Sequence, residues 1–225
     1  MRAGRYIGYV LFTCRFLCLF TCTPPPFDNV TVQDNFDLNR FLGIWFEIKW
    51  LPAEPHSESE IWRNFFQSYQ MSNWQTKQLF AYGRARVLND VDCFSIEPWL
   101  ILANNSARMI LQTKALTSSN ALNWPYYVMK TDYDHYALIY SCTDNHYSST
   151  QSCINSTFWV FSRTTSLPNI YMNELDAIIE NQLCINQTAI EITPHDGRQC
   201  YSSLSSNKSD SNWILLLLFV LFLYV

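Results

Sequence analysis

The chain has 225 residues, 48% of them hydrophobic and 15% charged, too apolar for a disordered chain and long enough to bury one sizeable core. Its 15 basic and 19 acidic residues leave a net charge of −4, which excludes the basic surface that a nucleic-acid binder needs. The five glycines form no G-x-G-x-x-G or Walker pattern, which excludes the glycine-rich phosphate loops.

In chain order, Arg2 and Arg5 precede a mostly apolar stretch over residues 6–22, the layout of a secretory signal peptide. We assign residues 1–22 to it and expect cleavage between Phe20 and Pro24. A signal anchor that stays in the membrane is the alternative, but the run is short for a span and Arg15 interrupts it.

Residues 23–202 read as one domain. No linker divides it, and aromatic residues at 16% either fill its core or line a cavity. Eight β-type runs follow one another: Gly43–Leu51, 61–71, 77–88, 93–102, 107–116, 123–131, 135–142 and 157–164. A polar, proline-containing loop over 52–60 joins the first two; the other connections are mostly short. Residues 168–182 break the pattern, with Leu175, Ile178 and Ile179 at a helical period between Glu174, Asp176 and Glu180. Asn169 or Asn173 is the expected cap. Residues 188–193 then read as a short extra strand. The expected fold is all-β: an eight-stranded up-and-down antiparallel barrel with one C-terminal α-helix packed outside and a short extra strand. Such a barrel is just wide enough for one small ligand.

Residues 213–225 are an unbroken apolar run, too short to span a bilayer and followed by nothing basic. Small polar residues at 202–212 precede it. Together they describe a GPI-attachment signal over 203–225, with attachment among Ser202, Ser203, Ser205, Ser206 and Asn207, and Ser205 or Ser206 preferred. Five N-x-[ST] sequons, at Asn29, Asn104, Asn155, Asn186 and Asn207, suit the same extracellular route. Losing Arg2, Arg5, Arg15, Lys208 and Asp210 with the two ends takes 15 basic and 19 acidic residues to 11 and 18, a net charge near −7. An acidic mature chain disfavours phosphate-mediated binding and anionic membrane faces.

The stretch over residues 35–50, NFDLNRFLGIWFEIKW, resembles the opening motif of the lipocalins, and within them the apolipoprotein D and Lazarillo branch. Its G-x-W core is Gly43, Ile44 and Trp45, after Phe36, Asp37, Leu38 and Phe41. Thr131, Asp132 and Tyr133 resemble the second family motif, T-D-Y, and Arg163 in FWVFSR resembles the third. The three occur in the family's order and cover about residues 22–200. The resemblance implies that Trp45 plugs the closed end of the barrel and that Arg163 lies across it in a cation–π contact. It also implies that Phe41 and the turn at Asp37 form a short helical lid, and that Thr131 and Asp132 brace that end by hydrogen bonds.

If Arg163 points inward, strand alternation turns Phe161, Trp159 and Thr157 inward too. Family comparison puts aromatic residues at the positions of Trp159 and Tyr126 in the pocket, and Tyr69 is a third candidate. No charged residue is placed in the lumen, so the expected ligand is mostly apolar, with any polar head meeting tyrosine hydroxyls.

Cys14 and Cys18 leave with the signal. Cys22, Cys93, Cys142, Cys153, Cys184 and Cys200 form an even set suited to disulfides, and six cysteines allow fifteen pairings. The resemblance implies Cys22–Cys142, and a bond from Cys200 to a cysteine early in the second strand. Residues 61–66 contain none, which leaves Cys93 as the substitute and Cys153 and Cys184 either paired or free. If Cys22 is cleaved away, Cys142–Cys153 across one hairpin becomes the alternative.

No metal site is expected, because no C-x-x-C or tight Cys/His cluster is present. His56, His135, His146 and His195 fall in or beside predicted loops. Motifs for nucleophilic or zinc hydrolysis are missing, so we expect no enzyme and no cofactor. The expected function is a GPI-tethered extracellular lipocalin that binds a small hydrophobic ligand: a fatty acid, retinoid, sterol-like molecule or bilin. Its partners would be that ligand, the outer leaflet through the anchor, and a cell-surface protein, with a role in cell-surface signalling or neuronal development. The alternatives are a recognition or adhesion glycoprotein that uses the barrel as a scaffold, and a soluble secreted carrier.

Overall fold

The computed structural model describes residues 22–52, 62–87, 92–96, 98–113, 122–144, 148, 150–198 and 200. The signal segment over 1–21, the loop over 53–61, His56, His146, Ser202, Ser203, Ser205, Ser206, Asn207 and the apolar tail lie outside them.

One helical turn, α1 (Leu38–Phe41), leads into β1 (Gly43–Leu51). Then follow β2 (Trp62–Asn73), β3 (Gln78–Val87), β4 (Phe94–Ser95), β5 (Trp99–Leu102), β6 (Arg108–Thr113), β7 (Leu122–Thr131), β8 (Tyr136–Cys142) and β9 (Ser156–Ser162). Helix α2 (Asn169–Asn181) and β10 (Glu191–Ile192) complete the chain. Every pairing is antiparallel, and β9 returns to pair with β1, which closes the barrel. The barrel has eight staves because β4 and β5 both lie along β3 as one interrupted strand. Pro98 falls at the interruption, where it has no N–H for the ladder.

Helix α2 lays Leu175 and Ile179 against the outward side chains of Ile48, Met129, Leu138 and Val160. Lys49 and Lys130 on the barrel pair with Asp176 and Glu174 on the helix. Neither expected asparagine caps α2: Pro168 holds the N-cap position without a side-chain bond, and its fixed φ suits the entry to a helix. The extra strand is also shorter than expected. Residues 187–189 form a 3-10 turn, with the Asn186 side chain accepting from Thr188 N–H.

The disulfides are Cys22–Cys184, Cys93–Cys200 and Cys142–Cys153. The pairing Cys22–Cys142 implied by the resemblance does not form. Cys142 ends β8 opposite Ser156 at the start of β9, which puts Cys153 across the same hairpin, while Cys22 lies against the end of α2 beside Cys184. Cys93 precedes β4, which pairs with Arg84 and Ala85 of β3. It therefore sits one strand away from the start of β2 and reaches Cys200.

Two irregularities decide which side chains enter the lumen. The β1–β9 register shifts between Glu47 and Lys49, so Trp45 and Glu47 face inward, Lys49 turns out to α2, and Trp50 turns in opposite Trp159. The β2–β3 register shifts between Arg63 and Phe66, with Asn64 at φ 56°. Phe65 stays inward and Trp62 joins it. The extra residue in each bulge reverses the alternation beyond it.

Candidate ligand cavity

The closed end is built around Arg163. Its guanidinium lies 3.6 Å over the centre of the Trp45 ring. It donates to the carbonyls of Tyr133 (2.9 Å), Ile44 (2.9 Å) and Arg40 (2.8 Å). Burial pushes this guanidinium down to about 10, so it keeps its charge at neutral pH. Trp45 Nε1 donates to the Phe41 carbonyl at 2.8 Å. Gly43 has φ +99°, and a Cβ there would lie 3.4 Å from Arg163 Nη1, so this turn into β1 needs glycine.

The second motif organises the adjacent turn. Asp132 Oδ1 accepts from the N–H groups of Asp134, His135 and Tyr136. Thr131 Oγ1 donates to the Tyr136 carbonyl and accepts from Tyr133 N–H. Burial works to raise the Asp132 carboxyl, but those backbone donors and the His135 ring outweigh it and hold it below the usual carboxylate range. Asp37 caps α1 by accepting from Asn39 and Arg40, and its own N–H donates to Tyr133 OH at 2.8 Å.

Above the plug lies a closed aromatic layer. The Tyr69 and Tyr126 hydroxyls are 2.5 Å apart, and both side chains are fully buried. Burial raises both phenols, Tyr69 well above its ordinary value. Phe161 is buried in the same layer, its ring 6.5 Å from Phe65. Of the four ligand residues expected from sequence, Tyr69, Tyr126 and Phe161 therefore form a floor. Trp159 lines open space above it, with its ring 5.8 Å from Tyr126.

That space is a cavity of about 310 Å³, at the small end of ligand pockets. Five tryptophans line it: Trp50, Trp62, Trp99, Trp124 and Trp159. Phe65 adds a ring stacked on Trp62, which stacks on Trp50 at 5.2 Å. Trp124 and Phe65 were readable from sequence, since they share the parity of Tyr126 and Tyr69. Trp50 and Trp62 were not, because each lies beyond a bulge. Gly83, opposite Gln67 on β3, makes room for the Phe65 ring: a Cβ there would come within 2.7 Å of it.

Four polar residues also line the cavity: Gln67, Ser141, Thr143 and Thr157. The three hydroxyls donate to the backbone carbonyls of Pro125, Asn155 and Leu51. Gln67 is 4% exposed and brings an amide to the cavity wall. Behind the lining sits Glu47, fully buried. Its Oε1 accepts from Trp62 Nε1 at 3.2 Å and from Thr193 Oγ1, while Oε2 has no partner. Burial pushes its carboxyl up to about 7, against those two hydrogen bonds. His195 Nε2 donates to the Glu47 carbonyl at 2.7 Å, and burial lowers its imidazole.

The one group of candidate metal ligands among the described residues is Cys142, Asp144 and Cys153. Its two sulfurs are bonded to each other, and Asp144 accepts from the N–H groups of Ile154 and Asn155. No helix among the described residues is long and apolar enough to cross a membrane.

Comparison with known proteins agrees with this architecture. The model of the lipocalin / cytosolic fatty-acid binding protein family matches residues 43–196. The chain is 30% identical to apolipoprotein D of Cavia porcellus over 175 residues, 75% of this chain and 80% of that one. It is 29% identical to retinol-binding protein 4 of Gallus gallus over 138 residues, 59% of this chain and 66% of that one. Among solved structures, H1 crustacyanin from the lobster Homarus americanus superposes with a TM-score of 0.58 at 17% identity, covering 83% of this chain and 97% of that one. With the barrel closed between β1 and β9 and Arg163 laid across Trp45, the chain belongs to the lipocalin family.

Proposed function

We propose that this chain is an extracellular lipocalin that holds a small hydrophobic ligand in its tryptophan-lined cavity. The observation that carries the reading is the cavity itself: the barrel's own side chains leave about 310 Å³ unfilled beneath five indole rings. Burial of apolar ligand surface against those rings drives binding, and Trp159 with its neighbours holds the ligand above the Tyr69–Tyr126–Phe161 floor. The similarity to a retinol-binding protein supports a retinoid among the ligands to try.

The same reading includes processing and attachment. Disulfides and exposed sequon asparagines at 29, 104, 155 and 186 suit a secreted glycoprotein. The Cys22–Cys184 bond favours signal cleavage before Cys22 rather than after it. The sequence over 203–225 supports GPI tethering to the outer leaflet. An unfilled lumen favours carriage over a barrel that serves only as a recognition scaffold.

The test is tryptophan fluorescence of the purified protein titrated with retinoids, fatty acids, sterols and bilins. We expect saturable quenching by at least one of them; a flat response to all overturns the reading. Treatment of expressing cells with phosphatidylinositol-specific phospholipase C checks the tether, which fails if no protein is released.

A further inference from the structure

The polar lining of the cavity has a sign. Ser141, Thr143 and Thr157 each spend their proton on a backbone carbonyl, at 2.7, 3.0 and 2.5 Å. What they present to a ligand is lone pairs. Gln67 is the one lining side chain with both an amide donor and a carbonyl acceptor. It is nearly fully buried and lies on the cavity wall, where a ligand can meet its donor and its acceptor. Its position is fixed by its strand neighbours: it pairs with Trp45 on one side and Gly83 on the other, between the inward residues Phe65 and Tyr69.

Among the described residues, no Lys, Arg or His lines the cavity. Arg163 is committed at the closed end, beneath the Tyr69–Tyr126 layer. The carboxyl group that touches the lining among the described residues is Glu47, hydrogen-bonded to the indole of Trp62. The donors left to a ligand are neutral amide and indole N–H groups. A carboxylate brought here would lose its hydration, meet three acceptor oxygens, and find no cation among the described lining residues. A hydroxyl would donate to one of those oxygens and accept from Gln67.

We propose that Gln67 is the specificity-determining residue of the cavity, and that it selects an uncharged, hydroxyl-bearing apolar ligand over the carboxylate of the same skeleton. This rests on the ligand-binding reading above and narrows it: alcohols and sterol-like molecules are ligands, and fatty acids and retinoic acid are not.

Matched pairs test it. Retinol against retinoic acid and hexadecanol against palmitate are titrated at pH 7.5 into the wild-type protein, with tryptophan fluorescence as readout. Gln67→Leu and Gln67→Met follow, each checked by circular dichroism. We expect an alcohol to bind at least tenfold tighter than its acid, and both variants to keep the fold while losing about fivefold to tenfold in affinity for the alcohol. An acid that binds as tightly as its alcohol overturns the selectivity while leaving the ligand cavity standing. Unchanged alcohol affinity in both folded variants overturns the role of Gln67 alone. If no probe binds, the ligand reading fails and this inference falls with it.

Discussion

The two ends of the barrel use similar residue types toward opposite ends. At the closed end an indole, a guanidinium and the backbone of α1 saturate one another, since Arg163 meets three carbonyls and Trp45 Nε1 a fourth. At the other end five indoles and the Gln67 amide surround empty space, and the Oε2 of Glu47 behind them lacks a partner. Buried polar groups are almost always paired. The saturated end is therefore a structural lock, and the unsaturated end is where an incoming molecule has something to gain.

The sharpest way to break this contrast is to open the lock. Arg163→Ala removes the cation–π contact and three charge-assisted hydrogen bonds. We expect a loss of about 4 kcal/mol in urea unfolding, with Arg163→Lys recovering only part, since an ammonium cannot span the three carbonyls as a planar guanidinium does. A loss below about 1 kcal/mol would show that the closed end is not a lock.

Glu47 tests the other end through pH. Burial pushes its folded carboxyl up to about 7, from about 4.5 for a free glutamate. A raised value means that the folded state holds the proton more tightly, so the contribution is fully present below about 4.5 and is lost as pH rises to about 7. The span corresponds to about 3 kcal/mol. His195 acts in the opposite sense, because burial lowers it. The comparison is therefore between wild type and Glu47→Gln: we expect the wild type to lose stability relative to the variant between pH 4.5 and 7. Parallel stability curves would remove Glu47 from the titration.

The two glycines separate stability from capacity. Gly43→Ala forces a side chain into a positive-φ turn against Arg163 and should cost about 2 kcal/mol of stability with ligand affinity unchanged. Gly83→Ala instead pushes the end of the Phe65 ring. We expect a smaller loss, about 1 kcal/mol, together with several-fold weaker ligand binding, because that ring moves into the cavity. If Gly83→Ala left binding intact while Gly43→Ala weakened it, the division between the two ends would be wrong.

Much of the barrel was legible in the sequence, because its signals are local. Period-two runs gave the staves, and the 3.6 period of residues 175–179 gave α2. Alternation counted back from Arg163 put Trp159 in the lumen. The same counting failed at Trp50 and Trp62, since a bulge is one extra residue and carries no composition of its own at Ile48 or Asn64. It failed for depth too: Tyr126, Tyr69 and Phe161 do face inward, but parity does not say whether an inward ring lines a void or fills one.

The sequence by itself determined the strands and the helix, which follow from side-chain periodicity, while the turn at Gly43 and the pairing of Trp45 with Arg163 came from the resemblance of its short motifs to those of a family. Only the tertiary structure decided the disulfide partners, the inward turn of Trp50 and Trp62, and the place of the Gln67 amide on the cavity wall. Those features depend on closing β9 onto β1 and on how much of the enclosed volume the side chains fill. Closure and filling are sums over residues far apart in the chain, and no local stretch of sequence carries them.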